Sequence, residues 1–104
     1  MGLINCPADF KFSVSMCVYI NDNAAHFRES IESILNQTIK PDEVILVVDG
    51  PITPDLENVI KEYENGSFFK TIRLPKNVGH GEARRKGLEN CSNDLVALMD
   101  ADDI

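Results

Sequence analysis

From Phe12 the chain alternates strictly between apolar and small or polar residues. Phe12, Val14, Met16, Val18 and Ile20 fall on one side, and Ser13, Ser15, Cys17 and Tyr19 on the other, which is the period-two pattern of a strand. The second side carries no charge, so something is expected to cover it as well. Asn21-Asp22-Asn23 then breaks the run, with Asp22 the expected helix cap. Phe27, Ile31, Ile34 and Leu35 recur at helical spacing with Arg28, Glu29 and Glu32 between them, which predicts an amphipathic helix from about Ala24 to Gln37. Lys40-Pro41-Asp42 ends it as a turn.

Val44-Ile45-Leu46-Val47-Val48 is β-branched and unbroken, the signature of a strand buried on both faces, and it runs into Asp49-Gly50-Pro51. Thr53 as cap with Pro54 at the first helical position starts a second helix, along which Leu56, Val59, Ile60 and Tyr63 repeat before Asn65-Gly66 closes it. Phe69 to Leu74 reads as a short edge strand because Lys70 and Arg73 sit within it. A glycine-bearing loop, Asn77-Val78-Gly79-His80-Gly81, leads to a third helix expected from about Glu82 to Cys91. The apolar side of that helix, Ala83, Gly87, Leu88 and Cys91, consists largely of small residues and predicts close packing on a sheet. Leu95-Val96-Ala97-Leu98-Met99 is a final apolar run, expected to be buried on both faces, and it delivers Asp100, Asp102 and Asp103 at its carboxyl end.

The order β-α-β-α-β-α-β with short connections predicts an α/β fold: a mostly parallel sheet with helices on both faces and right-handed crossovers. Composition fits one small domain of 104 residues, with residues 1–11 as a loose leader that shows no periodicity. A net charge of -7 argues against nucleic acid or an anionic membrane surface as the main partner, although a metal or a local positive cluster would still admit an anionic substrate. Cys6, Cys17 and Cys91 show no close pairing and read as reduced thiols of a cytoplasmic protein. No apolar run approaches a membrane span, and the amino terminus lacks the features of a signal peptide. The sequence stops just past its acidic motif, so it is expected to be the front part of something longer.

Parallel sheets gather ligands at the carboxyl ends of their strands. Tyr19, Asn21 and Asp22 follow the first strand, Asp49 the second, and Asp100, Asp102 and Asp103 the fourth. Carboxylates packed this closely repel one another unless a cation lies between them, and a hard divalent ion such as Mn²⁺ or Mg²⁺ suits oxygen ligands. Asp49 is equally well read as a turn-former ahead of Gly50. Arg84, in the basic run Arg84-Arg85-Lys86, lies near a helix start, where free N–H groups also favour an anion. His80, between glycines, is a ligand or a plain loop residue. Gly79-His80-Gly81 only half matches a dinucleotide fingerprint, since the final glycine is missing. Phosphotransfer on Asp100 and a non-catalytic nucleotide or divalent-ion binding module remain as alternative readings.

Six ordered motifs resemble the nucleotide-binding half of the family 2 glycosyltransferases: Ser13-Val14 to Tyr19, Ser33-Ile34-Leu35-Asn36-Gln37-Thr38, Val48-Asp49-Gly50, Asn77-x-Gly79-x-x-x-Ala83-Arg84, Gly87-Leu88 and Asp100-Ala101-Asp102-Asp103. The resemblance covers essentially all of the chain from Phe12 on, and Val-Asp-Gly-Pro is closest to the branch that builds capsular and other exported polysaccharides. It implies the first half of a GT-A fold that binds a nucleotide-diphosphate sugar, a UDP-sugar by expectation, for transfer to a glycan or lipid-linked acceptor. By the same resemblance Tyr19 would stack on the base and Asp49 would accept from its imide N–H. Arg84 would support the base or diphosphate, Asp100 the ribose or sugar hydroxyls, and Asp102 would bind Mn²⁺ or Mg²⁺. The sequence departs from the family at Arg85, where Asn is usual, and at His80, where relatives often carry an aliphatic residue. The catalytic base of inverting members has no match within these residues, so the chain alone is expected to bind nucleotide weakly and to transfer no sugar. The full-length form is expected in the cytoplasm, at or near the inner face of the membrane.

Overall fold

The computed structural model describes residues 11–66 and 68–101. The expected leader, apart from Lys11, lies outside the described residues, and so do Asp102 and Asp103. Seven elements alternate as the apolar pattern requires: β1 (Ser13–Val18), α1 (Ala24–Leu35), β2 (Glu43–Val48), α2 (Pro54–Tyr63), β3 (Phe69–Arg73), α3 (His80–Glu89) and β4 (Val96–Asp100). The four strands pair in parallel in the order β3-β2-β1-β4. This is the α/β arrangement with helices on both faces, and β3 lies at an edge as its charges predict.

The two faces of β1 and β2 explain the layers. Val14, Met16 and Val18, with Val44, Leu46 and Val48, pack against Phe27, Ile31 and Ile34 of α1 and against Leu56, Val59 and Ile60 of α2 in one core. The uncharged opposite face of β1 is covered too: α3 lies across β1 and β2, and Cys17, Val47 and Ala83 form a second, smaller cluster there. Thr53 caps α2 as expected, its Oγ1 accepting the Leu56 N–H at 3.2 Å.

Four expectations are corrected. β4 is not buried on both faces, for it pairs only with β1 among the described strands and α3 sits over β1 and β2. Leu95 and Leu98 are therefore 54% and 49% exposed, while Met99 packs against the larger core. α3 starts at His80, two residues ahead of Glu82, because Gly79 caps it at a positive φ of 92°, a backbone conformation open to glycine, without any side-chain signal. Leu88 is exposed and does not share the packed side of α3, which is formed by Ala83 and Gly87. Asn23, not Asp22, caps α1, its side chain accepting the His26 N–H at 3.1 Å.

Gly87 sets the distance between α3 and the sheet. A Cβ at this position would lie 2.2 Å from Ser15 Oγ and 3.3 Å from Val47 Cγ2. Gly87→Ala is expected to destabilise the fold by about 1–2 kcal/mol, overpacking outweighing the better helix propensity of alanine. Ser15 Oγ is itself buried without a hydrogen-bond partner among the described residues. In a Ser15→Ala background, where the clash is gone, Gly87→Ala should cost nothing or stabilise, and chemical denaturation of the four variants measures the difference. Equal costs in both backgrounds would show that the helix–strand gap is not what the glycine serves.

Candidate functional site

The carboxyl edge of the sheet gathers most of the candidate residues. Tyr19 follows β1 directly, and its backbone N–H donates to Asp22 Oδ2 at 2.9 Å, so Asp22, expected as a helix cap, instead fixes the start of the loop carrying Tyr19. Asp49 follows β2 and is only 5% exposed. Its Oδ1 accepts the Val78 N–H at 2.7 Å, and its Oδ2 accepts from Gly79 N and Asn77 Nδ2, each at 3.1 Å. A carboxylate offers about four acceptor positions, so three are occupied by the β3–α3 loop and one on Oδ1 remains. Gly50 makes this approach possible: its φ is 87°, and a Cβ there would lie 2.6 Å from Asn77 N.

β4 lies beside β1, with Asp100 in register with Cys17. Arg84 reaches from α3 to Asp100, its Nη2 donating to Oδ2 at 3.0 Å and to Oδ1 at 3.2 Å. The contact uses one guanidinium nitrogen, which leaves Nε and Nη1 as donors. Arg84 stands in the second turn of α3, since that helix begins at His80, and its neighbour Arg85 turns instead to Glu82 and Glu89 along the outer face. His80, at the start of α3, brings its ring edge-on to Tyr19, with centroids 5.6 Å apart and planes at 69°.

Cys17 lies beneath this rim. Burial first, then the Asp100 charge, raises its thiol to about 11; Arg84 opposes the rise, and Asp49 and Asp22 add to it. One buried thiol thus feels charges brought in from the ends of β1, β2 and β4 and from α3. Cys17 and Cys91 are free thiols, and Cys6 lies outside the described residues.

One residue escaped the sequence reading. Ser30, on the buried side of α1, donates through Oγ to the Ala101 carbonyl at 2.7 Å. Ala101 is 1% exposed in the larger core, so the residue that follows Asp100 is pinned there. A serine among Phe27, Ile31 and Ile34 is the available signal, though its partner lies far off in sequence. His80 stood in the sequence as a ligand or a plain loop residue, and its contact with Tyr19 was not legible there because it depends on where α3 begins.

Asp102 lies outside the described residues. Among those described, no three His, Cys, Asp or Glu side chains converge as a metal centre, and Asp100 already faces a guanidinium. The described donor set does not by itself make a cation site. A hollow of about 220 Å³ adjoins Asp49, walled by Val48, Gly50, Ile52, Leu74 and the Glu57–Arg73 ion pair. A larger one of about 340 Å³, between Ile34, Leu35, Pro41 and Phe68, opens at the opposite end of the strands, away from the charged rim.

Against known families, residues 13–104 match the model for glycosyl transferase family 2. The chain belongs to this family. Over 94 residues it is 43% identical to the UDP-Gal:alpha-D-GlcNAc-diphosphoundecaprenol beta-1,3-galactosyltransferase of Escherichia coli, covering 90% of this chain and 34% of that protein. It is 38% identical to the amylovoran biosynthesis glycosyltransferase AmsE of Erwinia amylovora, covering 89% of this chain and 35% of the relative. The chain therefore spans little more than a third of the length of these family 2 relatives, and it matches their amino-terminal part. Among solved structures, a mannosyltransferase of Pyrobaculum calidifontis in complex with GDP-Man and Mn²⁺ superposes with a TM-score of 0.74 at 18% identity, over 88% of this chain and 27% of that one. That likeness bears out the GT-A fold. No helix among the described residues is long and apolar enough to cross a membrane.

Proposed function

We propose that this chain is the donor-binding part of a metal-dependent, inverting family 2 glycosyltransferase that takes a UDP-sugar and serves a glycan or lipid-linked acceptor in polysaccharide biosynthesis, at the cytoplasmic side of the membrane. The observation that carries this reading is the placement of Tyr19 after β1, Asp49 after β2 and Asp100 at the end of β4, with Arg84 bonded to Asp100, on one rim of a parallel sheet. The Escherichia coli relative, named for UDP-Gal and a diphosphoundecaprenol-linked sugar, supports the donor and the acceptor class, and the Erwinia amylovora relative, named for amylovoran biosynthesis, supports the polysaccharide setting.

Each side chain has a part its surroundings allow. The half-buried Tyr19 ring offers a face for a base to stack on. The acceptor position left on Asp49 Oδ1 suits an imide N–H. Asp100, 28% exposed, takes ribose or sugar hydroxyls while Arg84 holds its carboxylate in place. Departure of a nucleoside diphosphate builds negative charge, and in a chain of net charge -7 Arg84, whose contact with Asp100 uses Nη2 alone, is a positive group on the same rim that can offset it. Asp102 is the proposed ligand of Mn²⁺ or Mg²⁺, an ion that would offset the same charge when bound. The Arg84 contact also weighs against phosphotransfer on Asp100, whose carboxylate is already engaged.

Titration calorimetry with uridine diphosphate, with and without Mn²⁺, tests the reading. Binding that strengthens with Mn²⁺, and loses that gain in Asp102→Asn, is the expected result. Absence of binding in both conditions, or the same Mn²⁺ response in Asp102→Asn, would refute it.

A further inference from the structure

We infer that His80 is a positioning residue for nucleobase recognition: its ring makes a T-shaped contact with Tyr19 and so fixes the tyrosine as a stacking platform. The inference rests on the donor-site reading above.

The position of His80 is fixed from both directions. Ahead of it, Asp49 holds the Val78 and Gly79 N–H groups at 2.7 and 3.1 Å, so the backbone entering α3 has little freedom. Behind it, Ala83 and Gly87 seat α3 against the sheet with no room for adjustment. Tyr19 is held as firmly at its backbone through the Asp22 contact. What the backbone does not fix is the ring of Tyr19, and the imidazole of His80 packs against it with centroids 5.6 Å apart. An edge-to-face contact of this kind is favourable in itself, and it removes rotamer freedom that a stacking base would otherwise have to quench on binding. An aliphatic side chain at the same place would fill space without offering a ring edge.

Binding of uridine diphosphate and of inorganic pyrophosphate to wild type, His80→Leu and His80→Phe, with ring-proton NMR of the two tyrosines, tests the assignment. His80→Leu should weaken uridine diphosphate by about three- to tenfold while leaving pyrophosphate within about twofold, and His80→Phe should restore most of the loss. The Tyr19 ring resonances should move in His80→Leu and those of Tyr63 should not. Equal weakening of both ligands would place the role of His80 at the phosphates and overturn the assignment. Unchanged uridine diphosphate affinity in His80→Leu would overturn it as well, while leaving the donor-site reading intact. Failure of wild type to bind uridine diphosphate at all would remove both.

Discussion

Asp49→Asn should loosen the β3–α3 loop and lower the unfolding free energy by about 2–4 kcal/mol. The carboxylate is buried and receives three N–H groups, two from backbone and one from Asn77. Charge-assisted hydrogen bonds of this kind contribute about 1.5–3 kcal/mol each, and a buried donor left unpaired costs on the same order. An asparagine keeps the shape but turns an NH₂ toward one set of donors whichever way it is placed. If the NH₂ replaces Oδ2 it opposes both Gly79 N–H and Asn77; if it replaces Oδ1 it opposes Val78 N–H. The second arrangement is the less costly, which sets the lower end of the range. Hydrogen exchange at Val78 and Gly79 should accelerate together, and urea denaturation should show the loss with little change in slope. Unchanged exchange at these two amides would mean that the loop does not depend on Asp49.

Glu43→Gln is expected to cost about 2–3 kcal/mol near neutral pH and progressively less in acid. Glu43 is 5% exposed at the first position of β2. It accepts from Ser13 Oγ at 2.6 Å, from Ser92 N and from Ser92 Oγ at 3.2 Å, with Lys70 Nζ 3.6 Å away, and so ties the amino ends of β1 and β2 to the turn before β4. Burial alone pushes this carboxyl up. The hydrogen bonds from Ser13 and Ser92, together with Lys70, outweigh it and hold the pKa below its ordinary 4.5. A carboxyl held down in the folded state stabilises the fold fully above the unfolded value, and that contribution drains away as pH falls through the folded one. The gap between wild type and Glu43→Gln should thus be constant above about pH 5.5 and close below 4.5, as urea midpoints across that range would record. A gap that stayed constant down to pH 3 would mean that the carboxylate charge contributes nothing.

The sequence carried the fold far and the site only part of the way, for physical reasons that differ by residue. Alternation from Phe12 to Ile20 and the helical spacing of Phe27, Ile31 and Ile34 are local, so β1 and α1 could be placed to within a few residues. An apolar run such as Leu95 to Met99 reads the same whether one face is covered or two, and the exposure of Leu98 depends on where α3 settles. The start of α3 was missed because Gly79 caps it through backbone geometry alone. Asp49 stood equally as turn-former or ligand, since its partners lie about thirty residues downstream. The joining of Arg84 to Asp100 depends in the same way on β4 pairing beside β1, which no local pattern announces.

The separation between the Glu43 cluster and the Tyr19 rim has an electrical consequence. Six residues of β2 divide them, from Glu43 to Val48, a path of about 16 Å at the usual rise of a strand. In physiological salt the field of an exposed ion falls off over about 8 Å. Charge-altering substitutions around Lys70 should therefore shift acid tolerance while leaving the potential felt by an incoming anion at the far end nearly untouched, so durability and ligand selectivity can be tuned in separate rounds of mutagenesis.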